Sequence, residues 1–445
     1  MEKKEILVGY SRKNITPEMP TGLGGYGNDS RRLHEKVLDP VYGICLALTD
    51  SKDQTVLLYS VDLLLTSSEL TEKLRSRVSE ATGVPSEQIL LAATHNHSGP
   101  SMGDWDVPWA AAFYELFLEQ MTQAAQDALA DRAAAVLETG NVQADNMNYT
   151  RHYINDDGTY FGDNFGTRGQ TIAGHAGTPD RQIRLIRFAR AGKQDILLMN
   201  WQAHAKMCST ATSDFGKAHH KHLSADFIGY TRKHLEELTG AAVIYFSGAS
   251  GNLNPDSRIP EEAPPKEPDI YGNLLANIAA EGLKNTEKLR AGDIFCKWKK
   301  VEVPIDHSDD TKIDVAREIW SHWSNDPQKC KELAKENGFN SAYAARDVIR
   351  RYDCEESRQM ELGVVTVGDM AFVAVPYEMF CDNGRYIKEN SPYPVTVILS
   401  CTNEYHKYIP SDFAFCHGCY EVDSRLYPRG TAEKLADTIV EMLEE

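Results

Sequence analysis

The sequence predicts an α/β fold of layered α+β type, in which a large mixed sheet system is flanked by helices. Two observations carry this prediction. Short apolar runs typical of buried strands alternate with segments of helical periodicity along the whole chain, and several of those runs end in clusters of polar residues. With 445 residues the chain is long enough for two or three domains. We nevertheless expect one domain over residues 1–445, because no low-complexity linker or repeat interrupts the pattern.

The individual elements are predicted from periodicity and from flanking turn signals. Residues 11–17 and 22–27 are too rich in turn formers and glycine for regular structure. Ser224 is the predicted N-cap of a helix that opens within residues 223–230. Apolar runs predict strands at 42–48, 55–61, 88–93, 182–188 and 195–200. Periodicity predicts helices at 67–82, at 109–137 and in a charged stretch, 311–352, that we interpret as an insertion.

The charge of the chain limits its partners. The formal net charge of −18 disfavours nucleic acid and anionic membrane surfaces, since both would repel the protein. No window approaches the roughly 20 apolar residues that a membrane helix needs, and the N-terminus has no apolar signal-peptide core. We therefore expect a bacterial-type soluble, cytoplasmic enzyme that acts on a small molecule, unless a leader was trimmed. Stable membrane insertion is not expected, and homo-oligomerisation is left open.

The nine cysteines are odd in number and scattered, which favours reduced thiols over a disulfide framework. Only Cys416-His417-Gly418-Cys419 has metal-like spacing. No second cysteine pair completes four ligands, so the motif alone does not assign a zinc site.

The stretch from Thr94 to Pro100 carries the first functional signal. It follows an apolar run that predicts a buried strand, so His95 and His97 point to the same side of an extended segment. Two converging imidazoles can hold a divalent metal through neutral ring nitrogens. The alternative is a hydrogen-bonded pair without a metal.

Five apolar runs end in such polar clusters, and their ends can converge on one crevice if the strands lie side by side. Histidine, glutamate and tyrosine with glycine-rich loops between them are typical of a hydrolytic zinc site. The clusters contain His95 and His97, Asn200 and His204, residues 247–252, Glu378, and residues 403–408 with Tyr405 and Tyr408.

Nine short motifs, in the same order over nearly the whole chain, resemble one enzyme family. They are Asn14-Ile15-Thr16-Pro17 with Gly25-Tyr26, Val61-Asp62, His95-Asn96-His97-Ser98-Gly99-Pro100, Asn200-Trp201 with His204, Ser224-Ala225-Asp226-Phe227, Gly248-Ala249-Ser250-Gly251-Asn252-Leu253-Asn254-Pro255, Pro376-Tyr377-Glu378, Asn403-Glu404-Tyr405-His406-Lys407-Tyr408 and Tyr420-Glu421. On these motifs the chain resembles the catalytic N-terminal domain of the neutral/alkaline (non-lysosomal) ceramidases.

The resemblance implies a zinc-dependent hydrolase that cleaves an N-acyl amide bond. It implies one Zn²⁺ per chain, held by His95, His204, Glu378 and Tyr408. It further implies that an arginine contacts substrate, and Arg151 is the best match, although an arginine in a structural salt bridge is the competing interpretation.

Further roles follow from chemistry. Zinc lowers the pKa of a bound water to about 7, and the expected mechanism is attack by that metal-bound water. Tyr408 is either a ligand or a donor to the developing oxyanion, and His97 is the candidate that moves the proton. Backbone N–H groups of the loop at 248–252 could orient substrate. The expected substrate-binding residues are Gly251, Asn252, Asn254 and Tyr405.

Departures from the family pattern leave alternatives open. The family's Gly-Asp-x-Ser-Pro is replaced here by Gly251-Asn252-Leu253-Asn254-Pro255, which excludes any mechanism that needs the serine of that motif as nucleophile. A C-terminal immunoglobulin-like domain is also not expected, and the substrate is expected to be smaller and more polar than a membrane lipid. One alternative is a zinc-dependent ester, lactone or glycoside hydrolase. Another is an inactive ligand-binding homologue. His219, His220 and His222 are interpreted as a solvated loop or a lid.

Overall fold

The computed structural model describes residues 6–26, 32–102, 107–162, 169, 171–210 and 213–445. Its strands are β1 Ile6–Asn14, β2 Lys36–Val37, β3 Tyr42–Thr49, β4 Thr55–Val61, β5 Ile89–Ala93, β6 Ala133–Gln143, β7 Tyr149–Thr150, β8 His152–Asn155, β9 Tyr160–Gly162, β10 Ile172–His175, β11 Gln182–Arg190, β12 Ile196–Trp201, β13 His222–Leu223, β14 Ala242–Ser247, β15 Leu253–Asn254, β16 Glu287–Leu289, β17 Ile294–Pro304, β18 Ser357–Val367, β19 Met370–Ala374, β20 Glu378–Met379, β21 Val395–Leu399 and β22 Tyr408–Ile409. Its helices are α1 Ser68–Thr82, α2 Pro108–Ala130, α3 Asp214–His219, α4 Asp226–Thr239, α5 Pro268–Gly282, α6 Ile313–Ser321, α7 Pro327–Glu336, α8 Ala342–Tyr352, α9 Cys381–Asn390, α10 Asp412–Phe415, α11 Tyr420–Asp423 and α12 Thr431–Glu444.

A large mixed sheet forms the centre of the described structure. Eight of its strands run in the order β14-β12-β11-β6-β1-β3-β4-β5, and β16 pairs with β6 as a ninth. The middle pairs are antiparallel, whereas the outermost pairs, β12 with β14 and β4 with β5, are parallel. The predicted fold class, a large mixed sheet flanked by helices, is therefore confirmed.

The two edges of this sheet lie close together. Ser247 at the end of β14 donates its hydroxyl to the carbonyl oxygen of Thr94, just after β5, at 2.8 Å. Ser60 of β4 likewise donates to the carbonyl of Tyr245 in β14. The large sheet is therefore curved, and its curvature brings the loops that follow β5, β12 and β14 side by side.

A second sheet, in the order β17-β18-β19-β21, packs on one face of the first. Apolar side chains of both sheets form one buried cluster that includes Ile44, Leu46, Phe246, Phe372 and Val397. Helices α1 and α2 cover β3 to β5, α4 and α5 cover β11 and β12, and α9 and α12 cover the outer face of the second sheet. The molecule is thus layered helix, sheet, sheet, helix.

Helices α6 to α8 follow β17 and precede β18 along the chain. The two strands nevertheless pair directly over eleven residues, from Ile294↔Val367 to Pro304↔Ser357. The helices form a small apolar cluster of their own, with Ala316, Ile319 and Val348 in its interior. The charged stretch that predicted an insertion is therefore helical and leaves the strand pair intact. No helix in the described ranges is both long and apolar enough to cross a membrane.

Four local predictions are wrong. Residues 11–14 continue β1, because they pair with β3 from Ser11↔Cys45 to Asn14↔Tyr42. Residues 133–137 form the start of β6, since pairing with β1 and β11 overrides the helix propensity of alanine. Residue 225 caps α4 in place of Ser224, whose hydroxyl accepts from the backbone N–H of Asp226 at 2.9 Å. The five strands with polar ends lie in two sheets instead of one. Gly27, within the predicted turn segment, lies outside the described residues.

Candidate metal centre and active site

Four strand ends supply the residues that the sequence singled out as ligands. His95 follows β5 and His204 follows β12, both from the large sheet. Glu378 and Tyr408 come from the loops after β19 and β21 of the second sheet, where they are direct partners in the short parallel pair β20–β22. The site therefore lies where the ends of the two sheets meet.

The carboxylate of Glu378 lies at the centre of this group. Its Oε2 atom is 3.0 Å from His95 Nε2 and 3.2 Å from His204 Nε2. The Tyr408 hydroxyl is 3.4 Å from the same nitrogen of His204. All four side chains are buried, so these polar atoms face one another away from bulk water.

The remaining ring nitrogens are fixed by backbone carbonyls. His95 Nδ1 is 2.9 Å from the Leu64 oxygen, and His204 Nδ1 is 2.9 Å from the oxygen of Ser250. A carbonyl oxygen only accepts, so each Nδ1 carries a proton and each Nε2 is directed at the carboxylate of Glu378. Imidazoles that ligate metals are commonly oriented in this way.

His97 lies beside these two rings, with centroids 5.0 Å from His95 and 5.6 Å from His204. Candidate ligand atoms of the three histidines lie within 4.8 Å of one another. Both ring nitrogens of His97 are buried, and neither has a hydrogen-bond partner in the described part of the chain. Two such orphaned nitrogens are costly unless a ligand, a metal or a substrate group satisfies them.

Tyr405 contacts the site through Glu378, to whose Oε1 atom it donates at 2.5 Å. This hydrogen bond fixes the carboxylate so that its other oxygen faces the histidines. Substrate contact by Tyr405 stays a prediction.

Arg151 is buried, and its guanidinium lies over the Tyr408 ring at 5.2 Å. It donates to the carbonyl oxygen of Gly251 at 2.8 Å and forms an ion pair with Glu421. The structure thus gives Arg151 a salt bridge and, in addition, a place beside the candidate ligand Tyr408.

The loop at 248–254 is hydrogen-bonded to residues next to the candidate ligands. The Gly251 N–H donates to the Met379 carbonyl at 2.8 Å, and the Gly248 N–H donates to Trp201 at 2.9 Å. Asn252 accepts a hydrogen bond from the Cys381 N–H at 2.9 Å, and Asn254 is buried. The N–H groups of Gly248 and Gly251, expected to orient substrate, are therefore used within the protein itself. Substrate contact by Gly251, Asn252 and Asn254 stays a prediction.

Burial and charge set the protonation of the site. Burial alone would raise the pKa of Glu378, but His95 and His204 hold it well below the usual range. Burial and Arg151 lower the pKa of His204 to about 4. Burial and the neighbouring imidazoles lower the pKa of His97 well below its ordinary value. Burial and Glu378 raise the pKa of Tyr408 although Arg151 opposes them. Burial lowers the pKa of His95, but Glu378 and Cys401 raise it well above its ordinary value. The site thus offers a carboxylate, a charged imidazole at His95, neutral imidazoles at His97 and His204, and a neutral phenol.

Backbone strain is concentrated in these loops. His95, Cys401, Asn403 and Lys407 have left-handed φ values of 58°, 53°, 68° and 62°. Such conformations cost about 1–3 kcal/mol each in non-glycine residues and persist where the surroundings enforce them. Asn403 shows how: it pairs with Leu91 of β5 through its backbone N–H at 2.8 Å and its side-chain oxygen at 2.9 Å.

Sequence reasoning missed two residues of the site environment. Arg32 donates to the carbonyl oxygen of His97 at 2.5 Å. Glu421 was noted only as part of a motif, yet it forms the ion pair with Arg151. Neither lies shortly after a long apolar run, the signal that singled out the histidines and Glu378.

No family model matches the sequence, and no curated protein matches it. Solved structures do. The neutral ceramidase from Pseudomonas aeruginosa superposes with a TM-score of 0.73 at 16% identity, covering 99% of this chain and 74% of that one. A ceramidase complexed with C2 gives a TM-score of 0.72 at 16% identity, covering 99% and 75%. The family resemblance drawn from the motifs is therefore confirmed at the level of the fold: this chain has the neutral ceramidase fold over nearly its whole length.

Proposed function

We propose that this protein is a zinc-dependent hydrolase that cleaves the amide bond of an N-acylated substrate. The observation that carries the proposal is the approach of Glu378 Oε2 to the Nε2 atoms of both His95 and His204, at 3.0 and 3.2 Å in a buried site. The shared fold with a neutral ceramidase supports the reaction type.

The donor set fits zinc. Two imidazoles and a carboxylate are a common catalytic zinc ligand set, to which Tyr408 and a water would be added. Both nitrogens of His97 lack hydrogen-bond partners in the described residues, and His95 Nε2 faces Glu378 without a hydrogen bond of normal geometry. A cation between His95 and Glu378 would satisfy the His95 nitrogen, and the His97 nitrogens would remain available to water or a substrate group. We assign His95, His204, Glu378 and Tyr408 as ligands. Bound there, zinc would polarise the scissile carbonyl and lower the pKa of water.

The chain's own residues supply the proton transfer and orientation. His97, neutral because burial lowers its pKa, accepts a proton at a ring nitrogen and returns it to the leaving amine. Arg151 keeps its charge, since Glu421 and Tyr408 outweigh its burial, and places that charge against the phenol. A positive charge there favours the ionised form of Tyr408, the form that a metal binds.

A cavity of about 980 Å³ lies beside the loops that carry these residues. Lys206 and Met207, just beyond His204, line one part of it, and Pro255 and Asp256, just beyond Asn254, line another. Its mixed lining of charged, apolar and proline side chains suits an amphiphilic small molecule. A smaller, more polar substrate than a membrane lipid, and a cytoplasmic location, remain our proposals.

The test combines metal analysis with a substrate series. Purified protein should contain zinc, and His95→Ala should lose it together with activity on N-acyl substrates of graded chain length. His234→Ala is the matched control and should change neither, because His234 is a partly exposed histidine of α4 that hydrogen-bonds to Glu237 and Asn277. Turnover of O-acyl but not matched N-acyl compounds would contradict the amide assignment. Full activity of His95→Ala would contradict the metal site.

A further inference from the structure

A second cluster of potential metal-ligating side chains contacts Arg151 through Glu421. His152 in β8, Cys419 at the start of α11 and Glu421 within α11 are all buried, and their candidate ligand atoms lie within 4.8 Å of one another. His152 Nε2 is 3.0 Å from Glu421 Oε2. The three residues come from two segments separated by more than half the chain, so only the folded protein assembles them.

His417 lies beside this cluster and offers a further candidate donor. Its ring lies edge-on to that of His152, with centroids 5.6 Å apart, and it packs against Tyr160 at 4.7 Å. Both ring nitrogens are buried, and neither makes a hydrogen bond of normal geometry within the described residues. Inaccessible ring nitrogens without partners are unfavourable unless something binds them.

The spacing in this cluster repeats that of the first site. There, histidine nitrogens lie 3.0 and 3.2 Å from one carboxylate oxygen, and here the corresponding separation is 3.0 Å. Two ligands bound at about 2.0–2.1 Å to a tetrahedral zinc are separated by about 3.3 Å. We propose that His152, His417, Cys419 and Glu421 bind a second divalent metal ion of the borderline-soft class, with zinc as the best fit.

The charges around the cluster are compatible with a cation. A thiol that coordinates zinc loses its proton, so Cys419 and Glu421 together offset the two positive charges of the ion. Arg151 pairs with Oε1 of Glu421, which leaves Oε2 directed at His152. Hydrogen-bonded partners of this kind commonly orient a ligating carboxylate.

A metal here is structural in character. Its grouped donors are buried and include a thiolate, the common ligand of structural zinc sites. It would fix the segment that carries α10 and α11, two helices of only four residues each. Through Glu421 it would also hold Arg151 over Tyr408. The assignment does not depend on the reaction proposed for the first site.

Cobalt substitution distinguishes the two sites, because only the second contains a thiolate ligand. Protein loaded with Co²⁺ should show a thiolate-to-cobalt charge-transfer band, and zinc-loaded protein should contain two metal ions per chain. Cys419→Ser should abolish the band and lose one ion. Cys416→Ser is the matched control, because that thiol is exposed and contacts Arg429 at 3.3 Å, and it should retain both.

One metal per chain and no charge-transfer band in the wild-type protein would overturn the proposal, whether or not any variant folds. The cluster would then be a hydrogen-bonded support for Arg151. Loss of one ion in His95→Ala with the band retained is the result expected if both proposals hold. If His95→Ala loses no metal while the band persists, the proposed function fails and the second site stands.

Discussion

Gly25 lies against the imidazole of His97 and leaves room for it because glycine has no side chain. Its φ is +93°, and a Cβ atom built on it would lie 2.6 Å from His97 Nδ1. Gly25→Ala should therefore displace the imidazole without touching His95, His204 or Glu378. We expect activity to fall by about 100-fold, the usual effect of a displacement near 1 Å, while the zinc content stays unchanged.

The control for this variant is Gly83→Ala. Gly83, at the end of α1, also has a left-handed φ, +77°, but nothing lies within 4 Å of the position that a methyl group would occupy. It should lose about 1 kcal/mol of stability and no activity. Equal activity of both alanine variants would show that the position of His97 does not matter for turnover.

Asp39 gives the protein a pH-dependent stability term. Burial raises its pKa to about 6 although Ser224 and the Ala225 N–H donate to it. The folded state therefore binds its proton more tightly than the unfolded state. This contribution is full below pH 3.8 and is lost as the pH rises to about 6. An asparagine side chain does not titrate, so Asp39→Asn does not lose this contribution as the pH rises. The melting temperature of the variant minus that of the wild type should therefore increase between about pH 4 and about pH 7. A constant difference would contradict the assignment.

The site illustrates how far single residues can be predicted. His95, His204 and Glu378 were singled out because each lies a few residues after an apolar run, and the family resemblance implied their role as ligands. The structure brings Glu378 Oε2 to 3.0 and 3.2 Å from the Nε2 atoms of the two histidines. Leu64 and Glu421 leave no such trace, because their contacts to His95 and Arg151 arise only from tertiary packing. Metal coordination itself stays a prediction.

Among the elements, the β11–β12 hairpin offers a clean test of turn conformation. Gly192 in its turn has φ +72° and open space where a methyl group would lie. Gly192→Ala should destabilise the protein by about 1 kcal/mol through the backbone alone. Gly174→Ala in β10, which also has open space but no left-handed φ, should cost close to nothing. Thermal melts of both variants decide this, and equal melting temperatures would contradict it.

Elements were predictable where one local signal dominated. Strand β4 matches the predicted bounds, and α1 at Ser68–Thr82, capped by Ser67, matches the helix predicted over 67–82. The start of β6 was missed because three consecutive alanines favour a helix until pairing with β1 is available. The division into two sheets was also out of reach, since apolar runs do not show which strands pair.

At the scale of the molecule, the candidate metal centre joins the two sheets. His95 and His204 come from the large sheet, and Glu378 and Tyr408 come from loops of the smaller one. An ion bound by both pairs is lost when the sheets separate, so its binding energy becomes folding energy. Zinc at 100 times its dissociation constant should add about 2.7 kcal/mol to stability.

The Cys419→Ser background removes the second proposed site from this measurement. In that background, zinc should raise the melting temperature, and adding His95→Ala should abolish the increase. If the increase survives without His95, the stabilising ion binds elsewhere. If zinc binds at the expected site but leaves the melting temperature unchanged, the unfolded chain binds it equally well. The folded site would then be stabilised by contacts between the sheets, such as that of Asn403 with Leu91, and zinc would add nothing to its stability.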